Sequence, residues 1–97
     1  MRMIVIFEDT PVMPAVRQKL GAAHGEFLRK NQTEIVLAGG LREQPEAGYV
    51  GGLWVLEVVS RERAIELIEA DPFFAVEKRP YRLLNWGKAF PELQVVL

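Results

Sequence analysis

The chain has no cysteine and a single histidine, His24, among its 97 residues. Without thiolates there can be no disulfide, no iron–sulfur cluster, no thiolate zinc site and no cysteine nucleophile. One histidine also rules out a multi-histidine metal centre, so no metal or other cofactor is expected. A charge surplus of either sign is missing too: 12 Lys and Arg face 13 Asp and Glu, a net charge of −1. Nucleic-acid binding draws on an excess of cations that displaces counterions from phosphates, so no nucleic-acid partner is expected. No apolar run approaches the ~20 residues of a membrane helix. The apolar stretch Met3 to Phe7 stops at Glu8-Asp9, too short for a signal-peptide core. These absences point to a small soluble protein of the cytoplasm, away from membranes.

What is present suits one globular domain over residues 1–97, with no linker, repeat or low-complexity stretch. Met3 to Phe7 is a short β-branched run bounded by Glu8-Asp9-Thr10-Pro11 and reads as a strand buried on both faces. Pro11 and Pro14 mark a helix start. Val16, Leu20, Ala23, Phe27 and Leu28 then recur at helical spacing, predicting an amphipathic helix over about 12–31. Glu34 to Ala38 reads as a second strand closed by Gly39-Gly40, followed by a loop from Leu41 to Tyr49. Gly52 to Val59 alternates as a third strand. Ser60 is a good N-cap for a second helix reaching Ala70, which Asp71-Pro72 breaks. Phe73 to Lys78 reads as one further helical turn, Arg82 to Lys88 as a fourth strand, and Phe90 to Leu97 as a tail.

The order β-α-β-β-α-β is the split βαβ arrangement of a ferredoxin-like α+β fold, an antiparallel four-stranded sheet with two helices on one face. Two helices leave the other face bare, and strands one and three carry apolar side chains, such as Leu53 and Val55, toward it. A second copy packed sheet to sheet removes such a patch from water, so a homodimer is expected, with the tail of about residues 90–97 adding to the contact. The alternative is that the tail folds back over its own sheet.

Two side chains stand out for chemistry. His24 lies four residues after Leu20 and three before Phe27, on the inward side of its helix or at the margin. Imidazole exchanges protons near neutrality. Asp71 follows Ile68 by three residues, at the inward end of the second helix, where a carboxylate can orient an imidazole. Each has a plainer reading: a half-buried histidine filling the helix–sheet interface, and an aspartate capping the turn that begins at Pro72. Two oxygens let Asp71 serve both roles. The pairs Gly39-Gly40 and Gly51-Gly52 permit tight turns, or a close backbone approach to a ligand. Neither pair forms a phosphate loop. Trp86, with Phe73, Phe74 and Trp54, would line an apolar pocket or simply be core. Arg17, seven residues before His24 on the same stripe, would hold an anionic substrate or lie solvated on the surface.

Together these residues resemble the YciI-like proteins, also called YCII-related domains. The resemblance runs from residue 1 to about 90: the first strand, His24, Ala38-Gly39-Gly40, a Gly-bounded third strand, Ala70-Asp71-Pro72-Phe73 and a last strand holding Trp86. Ala-Asp-Pro-Phe in register with the upstream histidine is its most specific part. The chain departs from the family at Gly21, where many members carry arginine, and at Gly39-Gly40, where they tend to have Gly-Pro. The resemblance implies a dimeric α+β barrel with a catalytic pair at His24 and Asp71. It also brings the precedent of lyases acting on chlorinated aromatic compounds.

The function expected from this is a cofactor-independent enzyme abstracting a proton from a small aromatic or carbonyl compound. His24 would be its base, Asp71 its orienting acid, and Phe73, Trp86, Gly39, Gly40 and Arg17 its substrate contacts. The alternative is a non-catalytic dimeric module for a small ligand, in which the His–Asp pair only ties helices together. A cofactor-free oxygenase would need an oxidisable substrate. An acylphosphatase lacks the anion-cradling loop and following arginine it would need after strand one.

Overall fold

The computed structural model describes residues 1–95. Along the chain run β1 (Arg2–Glu8), α1 (Met13–Lys30), β2 (Ile35–Leu41), β3 (Gly51–Glu57), α2 (Arg61–Ala70), α3 (Pro72–Val76) and β4 (Tyr81–Asn85). The strands make one antiparallel sheet in the order β2-β3-β1-β4. Strands β1 and β2, joined through α1, are thus parted by β3, while β3 and β4, joined through α2 and α3, are parted by β1. This is the expected ferredoxin-like α+β arrangement.

Alternation along β1 turns Met3, Val5 and Phe7 to the inner face, where they are buried. The pairings Met3↔Leu56, Val5↔Trp54 and Val5↔Leu83 carry that face across the sheet. Ala64, Leu67 and Ile68 of α2 close over it. A smaller cluster of Met13, Val16 and Phe73 ties α1 to α3. The outer face holds Ile4, Ile6, Leu53 and Arg82, and Leu37 and Leu84 there are exposed. Ile4 and Ile6 are only half-buried, so β1 is fully covered on one face, not both.

Local chemistry sets most of the element ends. Pro14 lies in the first turn of α1. The Ser60 hydroxyl accepts from the Arg63 backbone N–H at 3.1 Å, capping α2. Other ends shift from expectation. Strand β2 runs through Gly39-Gly40 to Leu41, because both glycines remain paired with β3. Strand β4 ends at Asn85 instead of Lys88. Beyond it Phe90, Leu93 and Val95 are exposed, so the described part of the tail does not bury its apolar side chains on its own sheet. Val96 and Leu97, the end of the expected contact segment, lie outside the described residues. Among the described residues no helix is long and apolar enough to cross a membrane.

Candidate active site

His24 sits midway along α1, and Asp71 is the single residue between α2 and α3. Packing α1 against α3 brings them together, with His24 Nδ1 2.8 Å from Asp71 Oδ1. The same Oδ1 accepts from the Phe73 backbone N–H at 3.0 Å, so Asp71 also caps α3. Both roles fall on one oxygen; they are not divided between two as the sequence suggested. The Asp71 side chain is 3% exposed and that of His24 17%. The imidazole also stacks on Phe73, centroids 4.0 Å apart and planes 10° from parallel. An ionised carboxylate can only accept, so Nδ1–H is the donor, and in the neutral ring Nε2 carries the lone pair. The pair therefore holds a base in one tautomer and one ring orientation.

His24 opens onto a cavity of about 220 Å³ between α1 and the sheet. Its apolar walls are Phe7, Trp54 and Leu28, and its floor is backbone at Gly39, Gly40 and Gly52. Gly40 and Gly52 face each other across β2 and β3. A Cβ at Gly40 would overlap the Tyr49 ring, and one at Gly51 the Phe7 carbonyl oxygen. Among the described residues no glycine has positive φ, so Gly40 and Gly51 serve close approach and not turns. Tyr49 closes one side, between the guanidinium of Arg17 at 4.4 Å and that of Arg42 at 4.2 Å from its ring centroid.

Two other residues lining the cavity, Arg17 and Arg79, belong to a charged cluster. Asp9, its side chain 7% exposed, accepts from Arg17 Nε at 3.1 Å and Arg17 Nη2 at 3.0 Å. It also accepts from Arg79 Nη1 at 3.0 Å. Arg17 Nη2 further donates to the Gly51 carbonyl at 3.2 Å. The Arg79 side chain is 5% exposed. Burial pushes its guanidinium below the usual arginine range, and the hydrogen bond and charge of Asp9 push it back up. Both arginines line the cavity. Among the described residues no group of three or more His, Cys, Asp or Glu is placed to hold a metal ion.

The family model of the YCII-related domain matches residues 1–86, nearly the whole of the chain just described. The chain belongs to that family. None of the curated proteins matches it. Its fold is similar to that of 5-chloro-2-hydroxyhydroquinone dehydrochlorinase from Burkholderia phenoliruptrix, solved in complex with 2,5-dihydroxybenzoquinone. The TM-score is 0.79 at 21% identity, covering 90% of this chain and 94% of the other. At that identity the likeness speaks to fold.

Of the residues singled out from the sequence of this YCII-related domain, the structure gathers His24, Arg17, Gly39 and Gly40 around one cavity, with Asp71 behind the histidine. Phe73 is 2% exposed and backs the imidazole; it does not line the cavity. Trp86 is not among the lining residues. It lies past the end of β4, 47% exposed, and its backbone N–H donates to the Arg2 carbonyl at the far end of β1 from the cavity. Alternation puts position 86 on the outer face with Arg82 and Leu84, so even a longer β4 would have turned Trp86 away from the cavity. Asp9, Arg79 and Tyr49 were missed. Asp9 read only as a turn residue ending an apolar run, and Arg79 was given no role. Their signal is the register: Phe7 pairs with Tyr81, and two residues further along the same antiparallel pair come Asp9 and Arg79.

Proposed function

We propose that this protein is a small enzyme that abstracts a proton from a small aromatic or carbonyl compound and completes an elimination or isomerisation. The observation that carries this reading is the 2.8 Å His24–Asp71 bond, with the imidazole at the edge of a cavity of about 220 Å³. His24 Nε2 takes the proton, and the bonding pair it leaves behind becomes a new double bond. In an elimination a leaving group such as chloride departs with its own pair; in an isomerisation a proton returns at another atom. Neither route changes the net oxidation state, so neither needs a redox cofactor. Asp71 keeps Nδ1 protonated and offsets the positive charge the ring takes up. The fold's likeness to a dehydrochlorinase supports a chlorinated or hydroxylated aromatic compound as substrate.

The functional form is a homodimer in this reading, each sheet covering the outer face of the other. Leu37 and Leu84, exposed beside half-buried Ile4, Ile6 and Leu53, supply the apolar surface. A second reading, a non-catalytic ligand-binding module, draws on the bond from Phe73 N–H to Asp71, which gives that carboxylate a structural task of its own.

The test is proton NMR in deuterium oxide with 5-chloro-2-hydroxyhydroquinone, small phenols and 1,3-dicarbonyl compounds. Wild type is expected to catalyse loss of chloride or deuterium uptake on at least one of them. His24→Gln should slow that reaction by about 10²–10⁴-fold, the usual contribution of a positioned base. A panel left unchanged by wild type would favour the binding module.

A further inference from the structure

We infer that the ligand of this cavity is an oxyanion on a small planar frame, a carboxylate, phenolate or enolate, and that Arg79 together with Arg17 holds its charge. This rests on the proton-abstraction reading above and adds the substrate class to it.

Asp9 is one carboxylate serving two guanidinium groups, Arg17 and Arg79. The three together carry a surplus positive charge at side chains 19%, 5% and 7% exposed. The charge of Asp71 also reaches Arg79 and balances that surplus while His24 is neutral, so what an anion meets at rest is free cationic N–H donors, which bind anions more strongly than neutral donors do. The donors for such an anion are in place. Among the described residues Arg17 Nη1, and Arg79 Nε and Nη2, make no hydrogen bond to protein. No buried side-chain nitrogen lacks a partner there, so these N–H groups meet space that solvent can reach, and both side chains line the cavity.

Arg17 and Arg79 also converge on the dyad. Their guanidinium carbons lie 5.7 and 5.5 Å from the centroid of Phe73, the ring on which His24 stacks. The charges complement each other over a reaction. With His24 neutral, Asp71 offsets the surplus cation. Once His24 has taken a proton, the dyad is neutral and the surplus stands free, at the moment negative charge develops on a substrate oxygen. The site then matches the reacted state better than the starting one, as differential stabilisation demands.

The shape selects a flat ligand. Backbone at Gly39, Gly40 and Gly52 gives a floor without side chains, and Trp54 and Tyr49 add ring surfaces.

The experiment titrates the full chain with benzoate, 4-nitrophenolate and the neutral isostere benzamide, at mildly alkaline pH and low salt, following binding by calorimetry and the His24 ring by NMR. At least one anion should bind about tenfold or more tighter than benzamide, weaken with added salt and shift the His24 resonances. Benzoate alone would mark the anion as a carboxylate, 4-nitrophenolate alone as a phenolate. Arg79→Gln should lose about tenfold of that binding. Asp9→Asn, which adds one positive charge, should tighten it if the fold is kept. Should Arg79→Gln not fold, the wild-type comparison and its salt dependence still decide. Equal binding of benzamide, no binding of either anion, or a folded Arg79→Gln that binds like wild type would each overturn the inference. The two readings fail separately. Anion binding without turnover of any panel compound leaves the oxyanion site and removes proton abstraction. Turnover with no anion binding does the reverse.

Discussion

Asp71 Oδ1 receives two donors, the imidazole Nδ1–H and the Phe73 amide. Substitutions there can separate chemistry from folding. Asp71→Asn keeps an oxygen to cap α3 but makes that side-chain oxygen a neutral acceptor with no charge to offset an imidazolium. It should hold thermal stability close to wild type while cutting turnover severely. Asp71→Ala removes the cap as well and strands the imidazole N–H, costing about 1–3 kcal/mol in denaturant melts. A module in which the pair is only structural would order the variants by stability alone. At this scale the sequence was readable where one helix face decides: the spacing of His24 from Leu20 and Phe27 puts it inward. Asp71-Pro72 likewise marks a cap. That both donors would choose one oxygen depends on the angle between α1 and α3, which no local pattern encodes.

At the scale of elements, strand β2 is the informative case. Its glycines look like punctuation in the sequence, yet they continue the ladder, because a bare strand is what lets Tyr49 lie over Gly40. Gly40→Ala should push the Tyr49 ring outward, with a modest fall in melting temperature and weaker ligand binding. Gly51→Ala should destabilise more, since the atom it meets is the Phe7 carbonyl and cannot rotate away. The connection from α1 into β2 shows a surface pair with a defined sign. Arg63 donates to both oxygens of Glu34, at 2.9 and 2.8 Å, holding that carboxyl below its ordinary range. A carboxylate whose pKa is depressed on folding contributes stability above its unfolded pKa and loses it as pH falls through the folded value. The melting temperature of wild type should therefore exceed that of Glu34→Gln at neutral pH, and the gap should close on acidification. Asp9 and Arg79 belong to this scale too. Each is unremarkable within its own segment, and only the β1–β4 register sets them side by side.

For the whole molecule, element order alone was enough to reach the ferredoxin-like sheet, because βαββαβ with one apolar sheet face has few ways to close. The far end of β4 was less readable: Trp86 follows Leu84 on the outer-face side of the alternation, and it holds β1 only through its backbone N–H to Arg2. The outer face carries the consequence for assembly. Light scattering should give about twice the 11.0 kDa of one chain, and Leu37→Asp combined with Leu84→Asp, both on that face, should give the monomer. A wild-type monomer at high concentration would contradict the homodimer. The most direct test of the central claim, that His24 is a working base, compares His24→Gln with wild type in deuterium oxide on the same substrate panel. Both folds should be verified by their melts. Wild type is expected to exchange or eliminate at least one compound about 10²–10⁴-fold faster than the variant. Equal rates from the two proteins would contradict it.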